Sequence, residues 1–161
     1  MTTYFLDASA VVKRYITEAG SEYVAGLIDQ PSSNTVILAE ITRVEVAAAL
    51  AARQRAHSGL TLKERDEAVA LLLRHCDREY RMVPLNPDVL GRAVALTQTH
   101  RLRGYDAVQL AAALLTNFSL LAAGLPELVF VTADNDLIRA AIAEKLPSEN
   151  PNTHLPEARS S

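Results

Sequence analysis

The chain is poor in the residues that would define several common chemistries. It has one cysteine in 161 residues. Cys76 therefore has no internal disulfide partner, a Cys-rich zinc site is excluded, and a reducing compartment is the natural setting. Six scattered glycines form no phosphate-cradling loop, and there is no G-x-S-x-G elbow. Tryptophan is absent and aromatics make up only 5%. Neither charge dominates: sixteen Lys and Arg oppose nineteen Asp and Glu, a net charge of -3. That excludes a whole-protein basic field coating nucleic acid, but not a local basic patch.

The N-terminus lacks the basic region of a secretory signal, and Asp7 interrupts its apolar start, so a cytoplasmic protein is expected. Residues 107–126 carry no charge and have the length of a membrane span. Gln109, Thr116, Asn117, Ser119, Gly124 and Pro126 interrupt them. The expectation is a core helix followed by a turn, with no membrane partner.

What remains is 49% apolar and 22% charged, typical of a globular domain. Short apolar runs predict strands at residues 4–6, 35–38, 81–85 and 128–132. Helical spacing predicts helices over 8–15, 21–29, 41–55, 62–79, 87–100 and 134–145, and an uncharged helix that opens at Tyr105. Thr61 and Glu64 have the form of a capping box, and Asn86, Pro87 and Asp88 form a helix start. This alternation predicts an α/β fold, a short central parallel sheet flanked by helices. The domain is expected over residues 1–146. Residues 147–161, rich in Pro, Asn, Ser and Glu, read as a flexible C-terminal tail.

Four acids stand in telling places. Asp7 directly follows the first strand, and Asp134 follows the last predicted one and opens a helix. In a parallel sheet, such positions lie at the functional edge. Asp106 opens the uncharged helix, and Glu45 stands between Val44 and Val46. Each has a plain alternative, as a helix cap, a dipole partner or a solvated charge. If they converge, their mutual repulsion calls for a divalent cation, and oxygen-only donors favour Mg2+ or Mn2+. His57, His75, His100 and His154 show no ligand spacing and read as surface residues.

The segments Phe5-Leu6-Asp7-Ala8-Ser9-Ala10-Val11-Val12-Lys13, Thr42-Arg43-Val44-Glu45-Val46-Ala47-Ala48-Ala49-Leu50, Arg103-Gly104-Tyr105-Asp106-Ala107-Val108-Gln109-Leu110-Ala111 and Val131-Thr132-Ala133-Asp134-Asn135-Asp136-Leu137 resemble, in order and spacing, the motifs of PIN-domain proteins of the VapC toxin type. The resemblance spans roughly residues 3–146. It implies a PIN-like fold and a metal-dependent endoribonuclease. It also implies the toxin half of a type II toxin–antitoxin pair, a homodimer, an RNA substrate and a VapB-type antitoxin. Carried over by position, Asp7, Glu45, Asp106 and Asp134 are the acidic catalytic and metal-holding residues. Asp136 is a second acid in the last motif and competes with Asp134 for the fourth place. Ser9 and Thr132 match polar positions that hold a water or a carboxylate. Lys13, Arg14, Arg43, Arg101 and Arg103 lie near the motifs and are candidates for gripping RNA phosphates. Other readings stay open: an inactive PIN-like binding module, a housekeeping RNA-processing nuclease, or a Mg2+-dependent phosphatase. The usual phosphatase motif needs an Asp where this chain has Ser9.

Overall fold

Five parallel strands organise the computed structural model, which describes residues 1–154. They are β1 (Thr2–Leu6), β2 (Asn34–Ala39), β3 (Arg81–Val83), β4 (Val129–Val131) and β5 (Ser148–Glu149), in the order β3-β2-β1-β4-β5. Seven helices connect or cover them: α1 (Ala8–Val11), α2 (Ser21–Ile28), α3 (Thr42–Arg55), α4 (Leu62–Arg78), α5 (Pro87–Thr99), α6 (Gly104–Ala122) and α7 (Asn135–Ala143). The α/β class and the parallel sheet are as the alternation predicts.

Successive strand residues feed opposite cores, as a sheet covered on both faces requires. Phe5, Ile37 and Phe130 pack with α5, α6 and α7. Leu6, Leu38 and Val131, one residue on, pack with α1 to α4. Phe5 and Phe130 are fully buried side by side, their ring centroids 6.1 Å apart. The uncharged helix α6 is long and apolar enough to span a membrane. Here it lies against α5, and its residues Ala107, Leu110, Ala111, Ala112 and Ala113 are buried in the first of these cores.

Local chemistry sets the boundaries. Thr61 and Glu64 form the expected reciprocal capping box, and Asn86 caps α5 with Pro87 at its first position. The helix expected over 8–15 is shorter: after α1 the chain tightens into a 3-10 turn, Val12–Arg14.

Two expectations need correction. The tail does not begin at 147. Ser148 and Glu149 pair in parallel with Phe130 and Val131, and Pro151 is buried against the start of α2. Two polar residues at a sheet edge form a strand because backbone bonds, not an apolar run, hold them. The remaining tail residues, 155–161, lie outside the described residues. His75 is not a surface residue: it is buried between Tyr15 and Tyr80, and that burial pushes its imidazole below the usual pKa.

The chain runs outward from β1 to β2 to β3, then returns to β4 and β5 on the other side of β1. The topological switch therefore falls between β1 and β4. A crevice at their carboxyl ends is the expected ligand position.

Candidate active site

Asp7 closes β1 at that switch point. Its backbone N–H donates to Val131 O at 3.1 Å, carrying the β1–β4 ladder one step past the strands. Its side chain is almost fully buried and well held. Oδ1 accepts from Ser9 Oγ at 2.7 Å and from the Ala10 N–H at 3.0 Å, and Oδ2 accepts from Thr132 Oγ1 at 2.7 Å. The cap reading and the site reading thus coexist in one carboxylate. Burial pushes its pKa up to about 7, despite the bonds from Ser9, Thr132 and Ala10, and the charge of Glu45 adds to the rise.

Ser9 and Thr132 both hydrogen-bond to the Asp7 carboxylate. They also bind the neighbouring loop. Ser9 Oγ accepts from the Ala133 N–H at 2.9 Å, and Thr132 Oγ1 accepts from the Asp134 N–H at 3.2 Å. Thr132 is itself fixed through its own N–H, which donates to Glu149 O in the newly found edge strand.

Glu45 and Asp106 project from the first turns of α3 and α6. Both are partly buried, and both pKa values are raised. For Glu45 the cause is burial, opposed by a bond from Gln109 and reinforced by the charge of Asp106. For Asp106 it is burial, then the charge of Asp134, opposed by Arg103 and reinforced by Asp136. The carboxylate fields therefore reach one another in a chain, Asp7 to Glu45 to Asp106 to Asp134. The chain of influence links residues from Asp7 to Asp134 in the sequence.

Asp134 caps α7, with Oδ1 accepting from the Asp136 and Leu137 N–H groups at 2.8 and 3.2 Å. Its Oδ2 has no protein partner among the described residues. Asp136 is exposed and ion-paired with Arg139. Both line a cleft of about 280 Å³ with Asp106, Arg101, Leu102 and Arg103.

The basic candidates divide sharply. Lys13 is 5% exposed and pairs with Glu18 at 2.9 Å, so it does not reach a phosphate. Arg14 bonds Glu79 and Tyr80 on the far side of its turn. Arg43 is clamped by Glu40 and Asp77, both at 2.8 Å. Arg101 and Arg103 alone of the five are exposed on the cleft. Arg103 is 87% exposed, with Nε 3.5 Å from Asp106 Oδ2.

Gln109 falls in the third motif-like segment, where the sequence reading assigns it no role. It stands one turn after Asp106 on α6, 1% exposed, and its Nε2 donates to Glu45 Oε1 at 2.7 Å and to Thr42 Oγ1 at 2.9 Å. The available signal was a lone amide three residues after an acid in an otherwise apolar segment.

The donor set is oxygen-only and self-repelling, and it fits a hard divalent cation. Among the described residues no three carboxylate, imidazole or thiolate groups form a ready-made cage.

Comparison with known proteins agrees with this geometry. The PIN domain family model matches residues 4–143. Ribonucleases VapC45 and VapC49 of Mycobacterium tuberculosis are each 35% identical over 150 residues, covering 89% of this chain and 92% of theirs. Among solved structures, VapBC2 from Rickettsia felis bound to a promoter DNA fragment gives a TM-score of 0.64 at 14% identity, covering 92% of this chain and 98% of that one. VapC20 of Mycobacterium tuberculosis, a sarcin–ricin-loop-cleaving toxin, gives 0.58 at 17%, covering 85% and 94%. The chain belongs to the PIN-domain family, among its VapC-type members.

Proposed function

We propose that this chain is a metal-dependent endoribonuclease, the toxin of a VapBC-type pair, using Mg2+ or Mn2+. The observation that carries the reading is the chain of mutually repelling carboxylates, Asp7, Glu45, Asp106 and Asp134, at the carboxyl edge of the β1–β4 switch point. Held by these carboxylates, a divalent cation would supply Lewis-acid polarisation of the scissile phosphate and acidification of an attacking water.

The protein residues have separate tasks. Asp7, held from three sides, offers charge at a fixed position. Glu45 has Oε1 bonded to Gln109, and Asp134 has Oδ1 bonded to two backbone amides. Each leaves its second oxygen for the cation or its waters. Asp106 lines the cleft with Asp134, Arg101 and Arg103. Asp136 is engaged with Arg139, which favours Asp134 as the fourth acid. Arg101 and Arg103 draw RNA phosphates toward an otherwise acidic pocket.

The partner reading has its own support. VapBC2 of Rickettsia felis and the FitAB pair, which covers 97% of this chain at a TM-score of 0.59, share this fold. A small VapB-type antitoxin is the proposed inhibitor, acting on a homodimeric toxin.

The test is cleavage of single-stranded RNA by the purified chain with Mg2+, with Mn2+ and with EDTA. Cleavage is expected only with metal. Asp7→Asn and Asp106→Asn are expected to stay folded and lose roughly 100-fold or more in rate. A fully active, folded Asp7→Asn protein overturns the site. Expression alone should arrest growth, and co-expression of the adjacent small protein should restore it. Harmless expression without a partner removes the toxin role and leaves a housekeeping nuclease.

A further inference from the structure

Gln109 presents an unusual balance of satisfied and unsatisfied atoms. Its amide nitrogen donates twice, to Glu45 Oε1 and Thr42 Oγ1. Its amide oxygen is buried with no hydrogen-bond partner, the sole such side-chain atom among the described residues. Buried acceptors are normally paired, so an orphan calls for an explanation.

The explanation lies in the alternative orientation. Rotating the amide by half a turn would bring its oxygen to Thr42, whose hydroxyl has a proton to give. It would also set that oxygen against the Glu45 carboxylate, acceptor facing acceptor. The observed orientation leaves one oxygen unsatisfied and keeps a donor on the carboxylate. That choice is favoured where the neighbour is an anion, because a donor to a charged acceptor is among the stronger hydrogen bonds.

The helices make the contact specific. Thr42 and Glu45 lie three apart on α3, and Asp106 and Gln109 three apart on α6, so each pair shares one helix face. Gln109 is the cross-link between the two pairs. It fixes Glu45 Oε1 and leaves Oε2 without a protein partner among the described residues.

We propose that Gln109 is the positioning residue of the cation site: its amide holds the Glu45 carboxylate in one rotamer through Oε1 and leaves Oε2 free to serve as a donor. The inference rests on the metal-dependent reading above. Gln109 does not touch the cation or the RNA, and it acts through Glu45. Groups that orient a metal-holding side chain typically change metal affinity by about 10- to 100-fold when removed.

The test is Mn2+ binding to the full chain without RNA, followed by electron paramagnetic resonance. Gln109→Met keeps the length and bulk of the side chain and removes the donor. The expected result is a Kd for Mn2+ raised about 10-fold or more, with unchanged circular dichroism. In RNA cleavage, the half-saturating Mn2+ concentration should rise by the same factor while the KM for RNA stays put. Excess Mn2+ should restore most of the rate, which it would not do for a protein merely loosened in its core. Gln109→Leu gives the same comparison if the Met protein does not fold. Thr42→Val keeps the bond to Glu45 and should weaken Mn2+ binding less. Wild-type affinity in folded Gln109→Met or Gln109→Leu overturns the proposal. So does an equal loss in Thr42→Val, because the effect would then be packing between α3 and α6. A wild-type chain that binds no Mn2+ overturns the metal reading itself, and this inference with it.

Discussion

Under the proposed function, Asp7 is one side chain that serves folding and chemistry together. It caps α1, closes the β1–β4 ladder and stands buried among hydroxyls. Its carboxyl titrates near 7 when folded against an ordinary value of 3.8. A raised carboxylate pKa means that the fold favours the protonated form. The associated stability is complete below about pH 4 and is lost as pH rises through about 7. The metal-free protein should therefore melt at lower temperature at pH 8 than at pH 5. Asp7→Asn should remove that part of the decline and melt higher than wild type in EDTA at pH 8. The ceiling on this difference is on the order of 4 kcal/mol. Equal melting curves for the two proteins at pH 8 would mean that Asp7 carries no such strain. The position of Asp7 was legible in the sequence because a strand end can be read from an apolar run. The loss of Lys13 from the RNA-gripping set was not, because nearness in sequence says nothing about which way a 3-10 turn points a side chain. The role of Gln109 was not legible for a similar reason: its partners lie 64 and 67 positions away, on another helix.

Among the elements, the helices announced themselves and the last strand did not. Capping chemistry at Thr61 and Asn86 is local and can be read directly. β5 has two polar residues and no apolar signal. It exists because Phe130 N–H donates to Pro147 O at 2.8 Å and Thr132 N–H to Glu149 O at 3.1 Å. The segment after it docks through Pro151 onto Gly20, and His154 stacks on Tyr23 with centroids 3.7 Å apart. Asn150 adds a bond to Asn135, the residue beside Asp134. The strap thus braces the loop that carries Thr132 and Asp134. Gly20 is its most exacting contact. It has φ +85°, and a Cβ there would lie 2.7 Å from Pro151 O, a backbone atom that cannot swing aside. Gly20→Ala therefore combines left-handed strain of about 1–2 kcal/mol with a clash. A fall in thermal midpoint of at least about 3–6 °C is expected. An unchanged midpoint would mean that the strap does not bear on the fold.

At the scale of the whole molecule, the proposed function requires a chain of net charge -3 to bring a polyanion to an acidic pocket. The sequence offered five basic residues near the motifs, and the fold withdraws three. Lys13, Arg14 and Arg43 are engaged with Glu18, Glu79 and the Glu40–Asp77 pair. Arg101 and Arg103 remain on the cleft. Each phosphate neutralised on a single strand contributes about -0.7 to the slope of log binding constant against log salt. Two contacts per site give about -1.4, whereas all five would give about -3.5. The measurement is RNA binding by the cleavage-deficient Asp106→Asn protein across a range of KCl concentrations, with the divalent cation held constant. Adding Arg101→Ala or Arg103→Ala should flatten the slope by about 0.7 each. Adding Arg43→Ala should leave it unchanged, because that guanidinium already faces two carboxylates. A slope near the five-contact value, or one that Arg43→Ala flattens, would mean that RNA binding breaks ion pairs found in the free protein and recruits the withdrawn residues.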